Sequence, residues 1–97
     1  MAKRKSAKKI YKAITKYVGD DDRSAWYAGI SAKPKRRLFT DHKVNPGGRW
    51  IRKRARGEDA TRKAEEKLLA AGFKGGGGGG KNPTAVYAYR MTATTVE

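Results

Sequence analysis

Cysteine is missing from this chain of 97 residues, so neither a disulfide framework nor a thiolate-ligated zinc site can be built. The absence fits a reducing compartment. Acidic residues are scarce, 9 against 24 Lys and Arg, and no second acidic cluster exists that could hold a pair of metal ions. Long apolar runs are lacking too, which excludes a membrane-spanning helix. The opening "MAKRKSAKK" is basic but no apolar stretch follows it, so it does not read as a secretory signal. It reads instead as a nuclear address or a phosphate-binding arm. Histidine occurs once, at position 42.

What is present is positive charge. The balance of +15 bears on partners rather than on fold, and nucleic acid is the commonest partner for it. An anionic membrane surface would call for a long basic helix with a broad apolar face, and none is found. No membrane contact is expected.

Apolar periodicity organises the chain as an arm over residues 1–9 and a single domain over 10–97. Ile10, Ala13, Ile14, Tyr17 and Val18 recur as one helical face, giving a helix over about Ser6 to Val18 that stops at Gly19. "AWYAGIS" reads as a buried strand, and Pro34 suits the first turn of a helix running to His42. "RWIRKRA" is a second strand, with Trp50 and Ile51 on opposite faces. "GEDATRKAEEKLLAAG" opens with acids, ends in glycine and is a third helix. "TAVYAYRMTATTV" is a third strand with Ala85, Tyr87, Tyr89 and Met91 on one face. The expected fold class is α/β: a small mixed sheet of three strands, or slightly more, flanked by helices.

The glycine run, residues 75–80, satisfies the spacing of a phosphate-binding loop with Lys81, but Asn82 replaces the required hydroxyl residue. The run also follows a helix and enters a strand, the reverse of that motif's context. It is either a plain flexible connection or bare backbone laid against a phosphate chain.

Two polar residues fall on apolar helical faces. By the ~3.6-residue period His42 projects between Leu38 and Phe39, with Arg36 and Arg37 flanking that face. Burial with satisfied hydrogen bonds, and an Arg37–Asp41 pair, would account for them structurally. Glu65 borders the stripe of Ala60, Ala64, Leu68 and Ala71, whereas Glu66 faces away. A carboxylate there needs a cation or a metal ion.

At these residues the chain resembles the GIY-YIG endonuclease family, found in homing endonucleases and in the incision subunit of bacterial excision repair. "YAG", Tyr27 to Gly29, stands for the second half-motif, and Arg37 lies ten residues beyond Tyr27, as the family's catalytic arginine does. The likeness extends over about Ala25 to Asn82. It implies a GIY-YIG nuclease-like fold with catalytic Tyr27, Arg37 and His42, metal-holding Glu65, and Asn82 after the helix. His42 stands five residues after Arg37, where the family has His or Tyr at four. The Gly-Ile-Tyr half is not present upstream, and the nearest tyrosine to fill its role is Tyr17, on a helix.

The expected function is therefore a DNA-binding protein with this nuclease fold, a metal-dependent endonuclease using Mg²⁺ or Mn²⁺ if catalytic. Double-stranded DNA is the expected partner and the nucleoid, in the cytoplasm, the expected location. Phosphate contacts are expected from Lys3, Arg4, Lys5, Lys8, Lys9, Arg36, Arg49, Arg52, Lys53, Arg54, Arg56, Lys81 and Asn82. Two alternatives share the same charge. One is a non-catalytic nucleic-acid-binding protein associated with nucleoid or ribosome, the other a small basic protein that binds an acidic partner.

Overall fold

The computed structural model describes residues 5–75 and 82–96. Helix α1 (Ala7–Val18) starts where the Ser6 hydroxyl accepts from the Lys9 amide and stops at Gly19, whose φ of 64° suits glycine. Strand β1 (Trp26–Ser31) follows a short 3₁₀ turn, Arg23–Ala25. Helix α2 (Pro34–Arg36) runs on into a π-helical turn, Arg37–Asp41. Strand β2 (Trp50–Arg54), helix α3 (Glu58–Ala70) and strand β3 (Ala85–Arg90) complete the order. This is a small α/β domain with three helices and a three-stranded sheet.

The strands lie in the order β1-β3-β2, and both pairings are antiparallel. The sheet is therefore not mixed as expected. Parallel pairing is confined to isolated bridges at its two margins, Lys5 with Ala55 and Tyr27 with Lys74. Residues Lys5 to Lys9 of the basic arm are built into the domain: Lys5 bonds both ways with the chain after β2, and Ala7 to Lys9 are helical. Lys3, Arg4, Lys81 and residues 76–80 of the glycine run lie outside the described residues.

Strand alternation sends each strand's side chains to two different layers. On one side Trp26, Ala28, Ile30, Val86 and Ala88 pack with Ile10, Ile14 and Val18 of α1 and Ala64 and Leu68 of α3. On the other, Tyr87 and Tyr89 pack with Leu38 and Val44, bordered by Tyr27, Phe39, Trp50 and Met91. Central β3 is thus covered on both faces and reads as a continuous buried run.

Two elements differ from the expectation. The helix from Pro34 to His42 widens after Arg36, where the His42 amide bonds the Arg37 carbonyl at 2.8 Å across five residues. The extra residue keeps both Leu38 and His42 under the sheet. The last strand ends at Arg90 rather than near Val96, because Met91 bonds the Ala25 carbonyl and a turn at Thr92–Thr95 sends the chain back. The Val96 amide then reaches the His42 carbonyl at 2.8 Å. That return shapes the candidate site.

Candidate functional site

The second layer places tyrosines where β1 and β3 meet. Tyr27 lies opposite Tyr89 and Gly29 opposite Tyr87. The Tyr27 and Tyr89 rings stack with centroids 5.3 Å apart. Tyr87 leans across β1 through the space that Gly29 leaves, and any β-carbon there would overlap its hydroxyl.

His42 closes this layer from the helical side. Its Nδ1 is 2.7 Å from the Val96 carbonyl oxygen and its Nε2 is 2.7 Å from the Tyr87 hydroxyl. A carbonyl only accepts, so Nδ1 carries the proton. Burial holds the imidazole pKa below its usual 6.5, against the pull of the Val96 carbonyl, and so keeps the ring neutral. Nε2 is then the bare nitrogen, and Tyr87 donates to it. Tyr89 donates to Val96 oxygen at 3.2 Å and lies 3.1 Å from Nδ1. His42 is 3% exposed with both nitrogens engaged, so it does not meet solvent directly. Tyr87, its partner, is 1% exposed and as deeply buried.

Arg37 approaches the same hydroxyl from the first residue of the π-helical turn. The Tyr87 oxygen raises the guanidinium's pKa, and the Asp41 carboxylate adds to this through a 3.0 Å ion pair. The Arg37 Nε is buried and has no hydrogen-bond partner among the described residues. Such a donor is uncommon and is costly to leave unmet.

Glu65 lies half-buried on α3, whose Ala64 and Leu68 pack into the other layer. Burial raises its pKa, Glu66 adds to the rise and Arg62 opposes it. It makes no ion pair among the described residues. The Tyr87 phenol is pushed up to about 12, chiefly by burial; Arg37 opposes the rise, and weaker electrostatic effects of Tyr27 and Glu65 add to it. Tyr27, Arg37 and His42 are therefore brought together around Tyr87, whereas no hydrogen bond or ion pair among the described residues joins Glu65 to them. A half-buried carboxylate offers hard oxygen donors of the kind that Mg²⁺ or Mn²⁺ takes. No group of three acids or histidines that could hold a metal occurs among the described residues.

Tyr17 is not part of this cluster. It packs edge-on against Trp26, on the layer opposite Tyr27, with the Arg49 guanidinium over both rings. The tyrosine that meets His42 is Tyr87, far off in sequence and found only through the strand register.

The basic residues divide in the same way. Arg52 lies opposite Tyr87 and Arg54 opposite Ala85, so both share the tyrosine face. With Lys33, Lys35 and Arg36 they line an open groove between α2 and β2 that holds no acidic residue. Lys33 and Lys35 went unnamed in the sequence reading, although "KPKRR" carried the signal. Lys53, opposite Val86, points to the other layer, and Lys8 and Lys9 are exposed on α1. Arg49 serves the fold: it donates to the Tyr17 carbonyl at 3.0 Å and lies 3.7 Å from Asp21. Arg56 is exposed, its amide bonded to the Lys5 carbonyl. Asn82 is exposed with a left-handed φ of 50°, which asparagine tolerates.

No helix among the described residues is long and apolar enough to cross a membrane. In comparisons with known proteins, no family model, no curated protein and no solved structure matches the chain.

Proposed function

We propose that this protein binds DNA through its basic groove and hydrolyses phosphodiester bonds at the Tyr87 cluster, as a GIY-YIG-like endonuclease using one divalent ion. The observation that carries the reading is the meeting of Arg37, Tyr27 and the His42-bonded Tyr87 in one layer, with the charge of Glu65 felt at the Tyr87 hydroxyl. Two features of the chain favour the family likeness. The resemblance asks for a second tyrosine on a strand, and Tyr87 is one, paired across from Gly29 of "YAG" but later in the chain rather than earlier. The resemblance also asks for a histidine four residues after Arg37, and the π-helical turn absorbs the fifth residue here.

Each residue has a chemical task in this scheme. Arg37, whose side chain is 41% exposed, holds a non-bridging phosphate oxygen and neutralises its charge. Glu65 would hold Mg²⁺ or Mn²⁺, which when bound supplies Lewis acidity at the phosphate. Tyr27, the half-buried tyrosine of this layer, orients the attacking water, which gives its proton to a neighbouring water. The hydroxide attacks phosphorus, the P–O bond to the leaving oxygen breaks, and that oxygen takes a proton from solvent. Tyr87, 1% exposed and with a pKa of about 12, stays a neutral donor to His42 Nε2 and holds Arg37 from behind. Lys33, Lys35, Arg36, Arg52 and Arg54 carry the neighbouring phosphates.

The test is supercoiled DNA incubated with the protein and Mg²⁺ or Mn²⁺, with and without EDTA. Cleavage that EDTA stops, that Glu65→Gln and Arg37→Ala abolish with binding largely kept, and that outward-facing Glu66→Gln retains, supports the reading. A purified protein that binds DNA and cleaves nothing with either ion overturns the catalytic half. The groove would then belong to a non-catalytic nucleic-acid-binding protein.

A further inference from the structure

The chain beyond β3 has no part in the sheet, yet it reaches the centre of the tyrosine layer. After Arg90 the Met91 amide bonds Ala25, and Thr92 and Thr95 close a turn through Thr95 N to Thr92 O at 3.3 Å and Thr92 N to Thr95 Oγ1 at 3.0 Å. Val96 then clasps His42 by two backbone bonds, its amide to the His42 carbonyl at 2.8 Å and its carbonyl to Nδ1 at 2.7 Å. Its side chain is 46% exposed and is not what holds it there.

We propose that the Val96 backbone is a positioning element for the site: its carbonyl fixes His42 as the Nδ1–H tautomer and so leaves Nε2 to accept from the Tyr87 hydroxyl, which turns that oxygen towards Arg37. A neutral imidazole free in water prefers its proton on Nε2. Without the Val96 carbonyl the ring returns to that form, and Nε2–H then donates to Tyr87 instead of accepting from it. Tyr89 favours the change, because its hydroxyl, now donating to the Val96 oxygen at 3.2 Å, lies 3.1 Å from Nδ1 and donates there once the carbonyl leaves. The hydrogen-bonded chain through His42 thus has two directions, and the segment 92–96 selects one. Released, the site keeps every side chain and loses the acceptor that orients the Tyr87 hydroxyl. A partner or ligand that lifts this segment would turn Tyr87 away from its set position at Arg37 without touching the groove. The consequence for cleavage rests on the nuclease reading above; the tautomer does not.

The chain has one histidine, so its imidazole nitrogens give a single pair of ¹⁵N resonances by long-range ¹H–¹⁵N correlation. The wild type is expected to show protonated Nδ1 and bare Nε2. Val96→Pro removes the amide that anchors the segment and should move the ring towards Nε2–H, while Val96→Ala, which keeps both backbone groups, should retain the wild-type pattern. Cleavage by Val96→Pro should fall by about 10², the scale of a misplaced catalytic group, with DNA affinity unchanged. Wild-type protein carrying Nε2–H overturns the proposal, and so does a folded Val96→Pro that keeps Nδ1–H. The expected tautomers in a protein that never cleaves DNA would uphold the positioning and overturn the nuclease reading alone.

Discussion

The hydroxyl of Tyr87 occupies the volume that a β-carbon on Gly29 would need, one strand away in the antiparallel register. The glycine is required here for close approach, because its φ is not in the left-handed region. Gly29→Ala must push Tyr87 off His42 Nε2 or move β1 from β3. Overpacking of this kind costs about 1–3 kcal/mol. Urea denaturation should show that loss, and the variant should cleave DNA poorly even where it stays folded. A variant as stable and active as wild type would show that Tyr87 is free to swing elsewhere.

Tyr87 and Tyr17, on opposite layers, should separate in function. Tyr87→Phe removes the hydroxyl that links Arg37 to His42 Nε2, and cleavage should drop by about 10² to 10⁴ with DNA binding kept. Tyr17→Phe, altered on the opposite layer, should cleave as wild type does. Relaxation of supercoiled DNA under single-turnover conditions distinguishes them. Equal rates for the two variants would remove Tyr87 from the reaction.

Salt dependence should sort the arginines. Affinity for duplex DNA should fall by about 10³ or more between roughly 50 and 200 mM salt. Arg52→Ala and Arg54→Ala should each flatten the logarithmic salt slope by about 1, because each gives up a phosphate contact. Arg49→Ala should leave the slope alone and weaken the fold by about 0.5–1 kcal/mol, since its guanidinium lies over Tyr17 and Trp26. An Arg49 variant that loses salt slope at full stability would move that residue into the interface.

Acid should destabilise the protein in two windows. Burial holds the His42 pKa below 6.5, so the folded ring resists protonation; stability is full above 6.5 and declines as pH falls through the folded-state value. Asp21 titrates lower, from an ordinary 3.8 down to about 2, first through its bond to Arg90 and then through the Trp26 indole. Its contribution is full above 3.8 and is lost as pH falls towards 2. Thermal midpoints measured against pH should show both declines. Asp21→Asn should be less stable at neutral pH and should lack the lower decline. An unchanged acid profile in that variant would show that the Arg90 and Trp26 bonds to Asp21 add nothing.

Helices and strands were legible because their apolar residues repeat at the periods of the backbone. Ile10, Ile14 and Val18 mark α1, and the alternation of Val86, Tyr87, Ala88 and Tyr89 marks a strand buried on both faces. The inward turn of His42 also followed from helical projection. Its partner did not, because which strand lies beside β1 depends on the order of strands, and local patterning does not encode that order. For the same reason Tyr17 looked eligible as the second tyrosine, and Tyr87 was seen only as a core residue. The π-helical turn was hidden as well: Arg37 to Asp41 has ordinary helical composition, and the wider turn comes from burying Leu38 while His42 is held by Val96 and Tyr87.

Among the described residues the central strand is the last in sequence. β1 and β2 do not pair with each other, and each hydrogen-bonds to β3. During synthesis β1 and β2 therefore emerge before their shared partner has been made. Only α1 and α3 can gain local helical structure in that interval, and isolated helices of such length are marginal in water. Long-range closure of this sort slows folding and prolongs the life of the open chain. A nascent polymer carrying most of 24 cationic side chains then waits beside the RNA of the ribosome that makes it, with no sheet to organise those charges. Release from that surface and collapse of the sheet become competing events, decided in the moments after Ala85 to Arg90 come free.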